Sequence, residues 1–156
     1  MPNGSGLLGG ANGSSTQAAL IIPQPLSPNL YYIFTTDEAP GINGLRFSIV
    51  DMVLDNGNGD INASQKNILL FTPCCEKLAA VNHCNNSDVW VLGHEVDNNH
   101  FRAHLITPNG IDTNSIISSS GMINSSTQLP ALFGCMKFSP NGKKICLSTD
   151  SVLKTI

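Results

Sequence analysis

Apolar and polar positions alternate over short distances along this chain, and Gly, Asn and Pro punctuate them into extended segments. Gln17-Ala18-Ala19-Leu20-Ile21-Ile22 is apolar almost throughout, the pattern of a strand covered on both faces, and Pro23, Pro25 and Pro28 end it. Leu30 to Thr36, rich in aromatic and β-branched residues, predicts the next strand, and Asn43-Gly44 turns the chain into a third at Leu45–Leu54. Asn56-Gly57-Asn58-Gly59 turns it again, because Asn and Gly accept positive φ at little cost, and Asn67 to Phe71 completes a four-stranded antiparallel unit. The order then returns: Lys77–His83, Asp88–His94, Phe101–Thr107 and Ile116–Met122, with turns at Asn85-Asn86 and Pro108-Asn109-Gly110. Within Phe101–Thr107, Phe101, Ala103 and Leu105 alternate with Arg102, His104 and Ile106, which predicts one apolar face and one mixed face. A third unit offers only Cys135–Ser139, the turn Pro140-Asn141-Gly142, and Lys144–Ser148. No segment carries a helical period.

The units are copies of one another. Ser27 to Phe34 aligns with Asn85 to Leu92 and again with Ser139 to Cys146, and Leu45 to Asp51 aligns with Phe101 to Thr107, a period of about 56–58 residues. A hairpin unit recurring at that spacing cannot bury both faces alone, so sheets must stack on sheets. The expected fold is all-β: a partial β-propeller of about two and a half four-stranded antiparallel blades, at roughly 15–72, 75–124 and 133–148. Residues 1–14 read as a loop or disordered arm, and 149–156 as a tail outside the pattern. Propellers usually have about 4–8 blades, so the expectation is a piece of a larger ring.

Charge narrows the partners. The 156 residues carry a net charge of −3, and only 12% are charged, so no basic stripe exists to hold nucleic acid. No segment approaches the roughly 18 apolar residues of a membrane span. Met1-Pro2-Asn3-Gly4 lacks the basic start and apolar run of a signal peptide, which reads as cytosolic unless Met1 is internal and an export signal lies upstream. Five cysteines (Cys74, Cys75, Cys84, Cys135 and Cys146) without a Cys-x-x-Cys pattern read as buried free thiols; a Cys75–Cys135 bridge between inner strands is the alternative.

Several patterns suggest chemistry and then fail on spacing. Gly4-Ser5-Gly6-Leu7-Leu8-Gly9 has the dinucleotide-fingerprint spacing but neither the strand before it nor the helix after it. Asp55 to Asp60 resembles a calcium loop, yet in one register Gly57 and Gly59 fall at ligand positions, and in the other Ile61 replaces the required glycine. His100 and His104 would share a metal on a helix; on a strand they are about 13 Å apart. His94-Glu95 reads as a polar pair at a strand end, and Asp37, Glu38, Asp51 and Asp60 as solvated groups at strand ends and turns. No nucleophile elbow or P-loop is present. No cofactor is expected. Tyr32, Trp90, His94 and Glu95 are the candidate binding surface, against a default in which Trp90 and the Tyr31-Tyr32 pair pack between blades.

Tyr31 to Asp37, Gly44 to Met52, Glu76 to Val81 and Asp88 to Leu92 resemble the propeller segment of large Bacteroidota surface proteins, which end in gliding-motility-associated sorting domains for type IX secretion. Ser139-Pro140-Asn141-Gly142-Lys143-Lys144-Ile145 is similar to the hairpin signature of WD-like repeats, which more often has Asp where Asn141 stands. The resemblance implies a secreted or surface-attached propeller at the cell exterior or outer membrane, completed by further blades, with no catalytic residues to carry over. The expected function is a non-catalytic interaction or scaffold module contacting protein or glycan. The alternative is a fragment of a propeller hydrolase or lyase whose site needs other blades.

Overall fold

The Asn-Gly turns place the strands. Gly44 has φ +62°, and a Cβ there would sit 2.2 Å from the Phe71 carbonyl oxygen, so the turn into the third strand admits only glycine. Asp55, Asn56, Gly57 and Gly59 all take positive φ in the next turn. The computed structural model describes residues 1–10 and 15–149. It is all-β, with 42% of those residues in strands and no helix of seven or more residues.

The strands form three antiparallel sheets. The first contains β1 (Ala19–Pro23), β2 (Leu30–Thr36) and β3 (Leu45–Asp51), with β4 (Asp60–Ile61) and β5 (Ile68–Phe71) both paired to β3. The second contains β6 (Cys74–Asn82), β7 (Val89–Glu95) and β8 (His100–Thr107), with β9 (Gly110–Ile111) and β10 (Ile116–Ser119) both paired to β8. The third is the hairpin of β11 (Met136–Phe138) and β12 (Ile145–Leu147).

The repeat extends into detail that the sequence pattern did not reveal. In both larger sheets the outermost strand is broken in two, and an Asx turn fills the break. Asn62 Oδ1 accepts from the Ser64 N–H at 3.1 Å, and Asp112 Oδ1 accepts from the Asn114 N–H at 2.9 Å. The third hairpin turn is closed by Asn141, whose Oδ1 accepts from the Lys143 N–H at 3.1 Å and the Ser139 hydroxyl at 2.8 Å.

Register fixes which residues correspond. Tyr32 lies opposite Ile22 and Ile49, and Trp90 lies opposite Val81 and Leu105. Phe34 lies opposite Phe47, as Leu92 lies opposite Ala103. The first sheet presents Tyr32, Phe34, Leu45, Phe47 and Ile49 to the second, which answers with Leu78, Val91 and Ile106, and these residues form one buried core. Gly93 lets the sheets approach: a Cβ there would meet the Phe71 ring at 2.8 Å and Leu45 Cδ2 at 3.1 Å. The face of β8 turned to this core is the mixed one. His104 and Ile106 are fully buried while Phe101, Ala103 and Leu105 are half-buried. The apolar face predicted from alternation points the other way, toward the third sheet.

The strand that begins each sheet joins a common inner row, with β6 packed against both β1 and β11. Gln17, just before β1, ties the row together: its Oε1 accepts from the Leu78 N–H at 2.9 Å and the Met136 N–H at 3.1 Å. Residues 1–10 lie against the first sheet. Asp60 accepts from the Asn3 backbone at 2.8 Å and its side-chain amide at 2.7 Å, and Met1 sits beside Ile21, Tyr31, Ile33 and Val50.

The burial of carboxylates corrects the expectation of solvated groups. Asp37 and Asp60 are each 5% exposed. Asp37 accepts from the Glu38 and Asn43 N–H groups at 3.0 and 2.7 Å, and Asp60 from Ile61 as well. A turn carboxylate that bonds the backbone can be buried because its charge is met by donors. The thiols divide rather than all being buried: Cys74 and Cys75 are buried, Cys135 is half-buried, and Cys84 and Cys146 are exposed. All five are free, so Cys75 and Cys135 are not bridged.

Candidate functional site

The four residues expected to form a binding surface do not meet. Tyr32 is 1% exposed, sealed between the first two sheets, where burial pushes its phenol above the ordinary range against the opposing hydrogen bond with the Ile111 backbone. Trp90 points to the opposite face of the second sheet and is half-buried, with its ring 5.8 Å from that of His83. His94 shares Trp90's face by strand alternation but is 1% exposed, so it is a buried residue and not a loop-facing one. Glu95 turns the other way, where it pairs with Arg102, accepts from Asn98 at 2.5 Å and lies 3.4 Å from the His100 ring. Burial works to raise the Glu95 carboxyl, but the Asn98 and Arg102 hydrogen bonds and the Arg102 charge outweigh it, so it sits below its usual value. His100 and His104 are both on β8, as the strand reading predicts. His100 faces Glu95, and the His104 ring stacks on Phe71 at 6.3 Å.

A polar cluster that the sequence did not suggest surrounds His94. Cys75 Sγ is 3.8 Å from His94 Nδ1, and Asn124 Nδ2 is 3.1 Å from both ring nitrogens. The buried Lys77 ammonium donates to the Asn124 amide oxygen at 3.4 Å and to the Ala131 carbonyl at 2.5 Å. Cysteine, histidine and asparagine together suggest a nucleophile and its base, but proton placement says otherwise. His94 Nδ1 lies 2.6 Å from the Glu95 carbonyl oxygen, which can only accept, so Nδ1 carries the proton. The unprotonated Nε2 then receives the Asn124 N–H and cannot take a proton from Cys75. The Cys75 thiol itself donates to the Glu95 carbonyl at 3.3 Å, and burial pushes it up to about 12. Burial also lowers His94 and Lys77. The cluster is therefore a satisfied internal network that fixes β6, β7 and the segment through Asn124 to one another.

Glu76 is a second buried anchor. Its carboxylate is fully covered and accepts from the Thr16 N–H at 2.6 Å, the Thr16 hydroxyl at 3.1 Å and the Ala39 N–H at 3.1 Å. Neither anchor has a sequence signature, because the side chains that meet in them come from 19 to 60 positions away.

The accessible feature is an apolar groove outside the cluster. A cavity of about 210 Å³ begins over His94, Phe101, Asn124 and Leu147. It continues as a groove of about 360 Å³ walled by Leu92, Phe101 and Ala103 on one side and Ile145 and Leu147 on the other. These are residues of β7, β8 and β12, so the groove runs between the outer half of the second sheet and the edge of the third. Among the described residues no group of three or more His, Cys, Asp or Glu side chains is arranged to hold a metal ion. No helix of the described residues is long and apolar enough to cross a membrane. A scan against protein-family models and searches of curated proteins and solved structures find no match to this chain.

Proposed function

We propose that this chain is a non-catalytic interaction module: successive blades, the third incomplete, of a β-propeller from a secreted or surface-attached protein. Its open face contacts protein or glycan. One observation carries the reading. Positions that the repeat makes equivalent are sealed between the first two sheets yet only half-covered on the far side of the second, so an apolar blade face is left available for contact. The inner row of β1, β6 and β11, held by Gln17, supports the radial arrangement that a propeller requires. The buried thiol of Cys75 and the fixed tautomer of His94 weigh against the alternative of a hydrolase or lyase fragment.

The test is an amide chemical-shift screen of the isotope-labelled chain against oligosaccharides and short peptides, with the same tubes assayed for hydrolysis. Perturbations grouped at Trp90, Leu92, Phe101, Ala103 and Leu147 are the expected result. Turnover of any substrate, or shifts confined to the Cys75–His94–Asn124 cluster, would overturn the proposal.

A further inference from the structure

We infer that the partner of this module is an extended peptide segment, apolar at alternate positions, which adds as an antiparallel strand to the free edge of β12 and lays its side chains in the adjoining groove. The inference rests on the interaction-module reading and names the chemistry of its partner.

The backbone of β12 is set for such an addition. Ser139 N–H donates to the Lys144 carbonyl at 2.8 Å, and Ser148 N–H donates to the Cys135 carbonyl at 2.9 Å. Hydrogen-bonded pairs alternate along an antiparallel ladder, so Lys144, Cys146 and Ser148 face β11, while the N–H and C=O groups of Ile145 and Leu147 point outward. No hydrogen bond among the described residues reaches those outward groups. An edge with unpaired donors and acceptors is a template for another strand.

The side chains agree with the backbone. Ile145 and Leu147 both face the groove, whose opposite wall is Leu92, Phe101 and Ala103. In the first sheet the equivalent positions are Phe34, Leu45 and Phe47, at 0%, 0% and 5% exposure beneath the second sheet. The groove thus continues an interface that the molecule already makes once. A strand beside β12 would cover β8 as the second sheet covers β3. Its apolar side chains would fill about 360 Å³, and the exposed Ser120 at the far end offers its hydroxyl to the terminus. Alternation is required because every second side chain of an added strand points away from the groove.

The probe is a fluorescein-labelled heptapeptide with Val and Thr alternating between terminal lysines, titrated into the full chain by anisotropy and followed by amide exchange. The expected result is saturable binding with new protection at the Ile145 and Leu147 amides. Ile145→Pro removes an outward N–H without touching the bonds to β11 and should weaken binding about tenfold or more, while Ile145→Val should leave it nearly unchanged. Unperturbed amide shifts across the first sheet, with retained protection of the Ser139 and Ser148 amides that bond across the hairpin, verify that both variants fold. Absence of binding, binding indifferent to Ile145→Pro, or shifts at the groove without protection of the two amides overturns strand addition. The last of these results leaves the interaction-module reading standing, whereas substrate turnover in the earlier screen removes that reading first. Sedimentation of the free chain as a dimer that protects those amides would make a second copy the occupant. Binding seen only in a chain ending at Thr149 would give the edge to residues 150–156. Either outcome contradicts the inference.

Discussion

The two faces of the second sheet meet very different neighbours. Toward the first sheet, a complete four-strand width covers Val91, His104 and Ile106, and the facing Tyr32, Phe34, Leu45 and Phe47 are sealed. Toward the third, a two-stranded hairpin covers only the inner half, and Trp90, Leu92, Phe101 and Ala103 remain half-buried. The strands occupy equivalent registers in the repeat. Burial here is set less by a residue's place in its strand than by how many strands the next sheet brings.

Truncation at paired positions should expose the difference most strongly. Phe34→Ala empties a sealed site and is expected to lower unfolding free energy by about 3–5 kcal/mol, whereas Leu92→Ala loses contacts on one side only and should cost about 1 kcal/mol. Urea unfolding of both variants measures this directly, and equal losses would erase the distinction. Gly93→Ala drives a methyl into Phe71 and Leu45 at the same sealed interface and should cost about 1–3 kcal/mol in that assay.

Acid should loosen the second sheet. Burial lowers both His94 and His104, with Lys77 adding to the effect at His94 and Arg102 at His104; hydrogen bonds to the Glu95 and Asp112 carbonyls oppose it. In the unfolded chain both imidazoles titrate near about 6.5, so below that pH the unfolded state binds protons that the folded state refuses. Stability is intact above that value and falls as pH drops toward the folded-state pKa values. Glu95, held low, adds a loss in the same direction at more acid pH. Thermal unfolding at pH 7.5 and 5.5 should show the lower midpoint at 5.5; a flat or rising profile would contradict the burial of the two rings. The smallest effect belongs to Ala103→Leu, which adds volume to an open groove and should stay within about 0.5 kcal/mol of the parent chain.

The pattern of strong strands was legible because alternation and Asn-Gly turns act locally. Leu30–Thr36 matches β2 at both ends, and the starts of β3 and β10 and the ends of β5 and β8 were also read correctly. β4 and β9 were missed because two residues carry no period. β6 begins at Cys74, three positions before the predicted strand, because Glu76 looks like a surface charge until Thr16 and Ala39 supply its partners. Alternation along β8 separates an apolar face from a mixed one but does not say which of them is sealed, for a related reason. A sheet covered on both sides needs no polar face, and His104 can be buried where its ring stacks on Phe71 and its Nδ1 bonds the Asp112 carbonyl. Of the candidate binding residues, only Trp90 lies on the half-covered face without being buried, and nothing in local sequence distinguishes it from Tyr32.

Native-state hydrogen exchange, resolved residue by residue, tests the central contrast most directly. Amides of β2, β3 and β7 should exchange only through global unfolding, whereas those of β11 and β12 should open in a separate event of distinctly lower free energy. Equal protection of the third sheet and the first two would contradict the account.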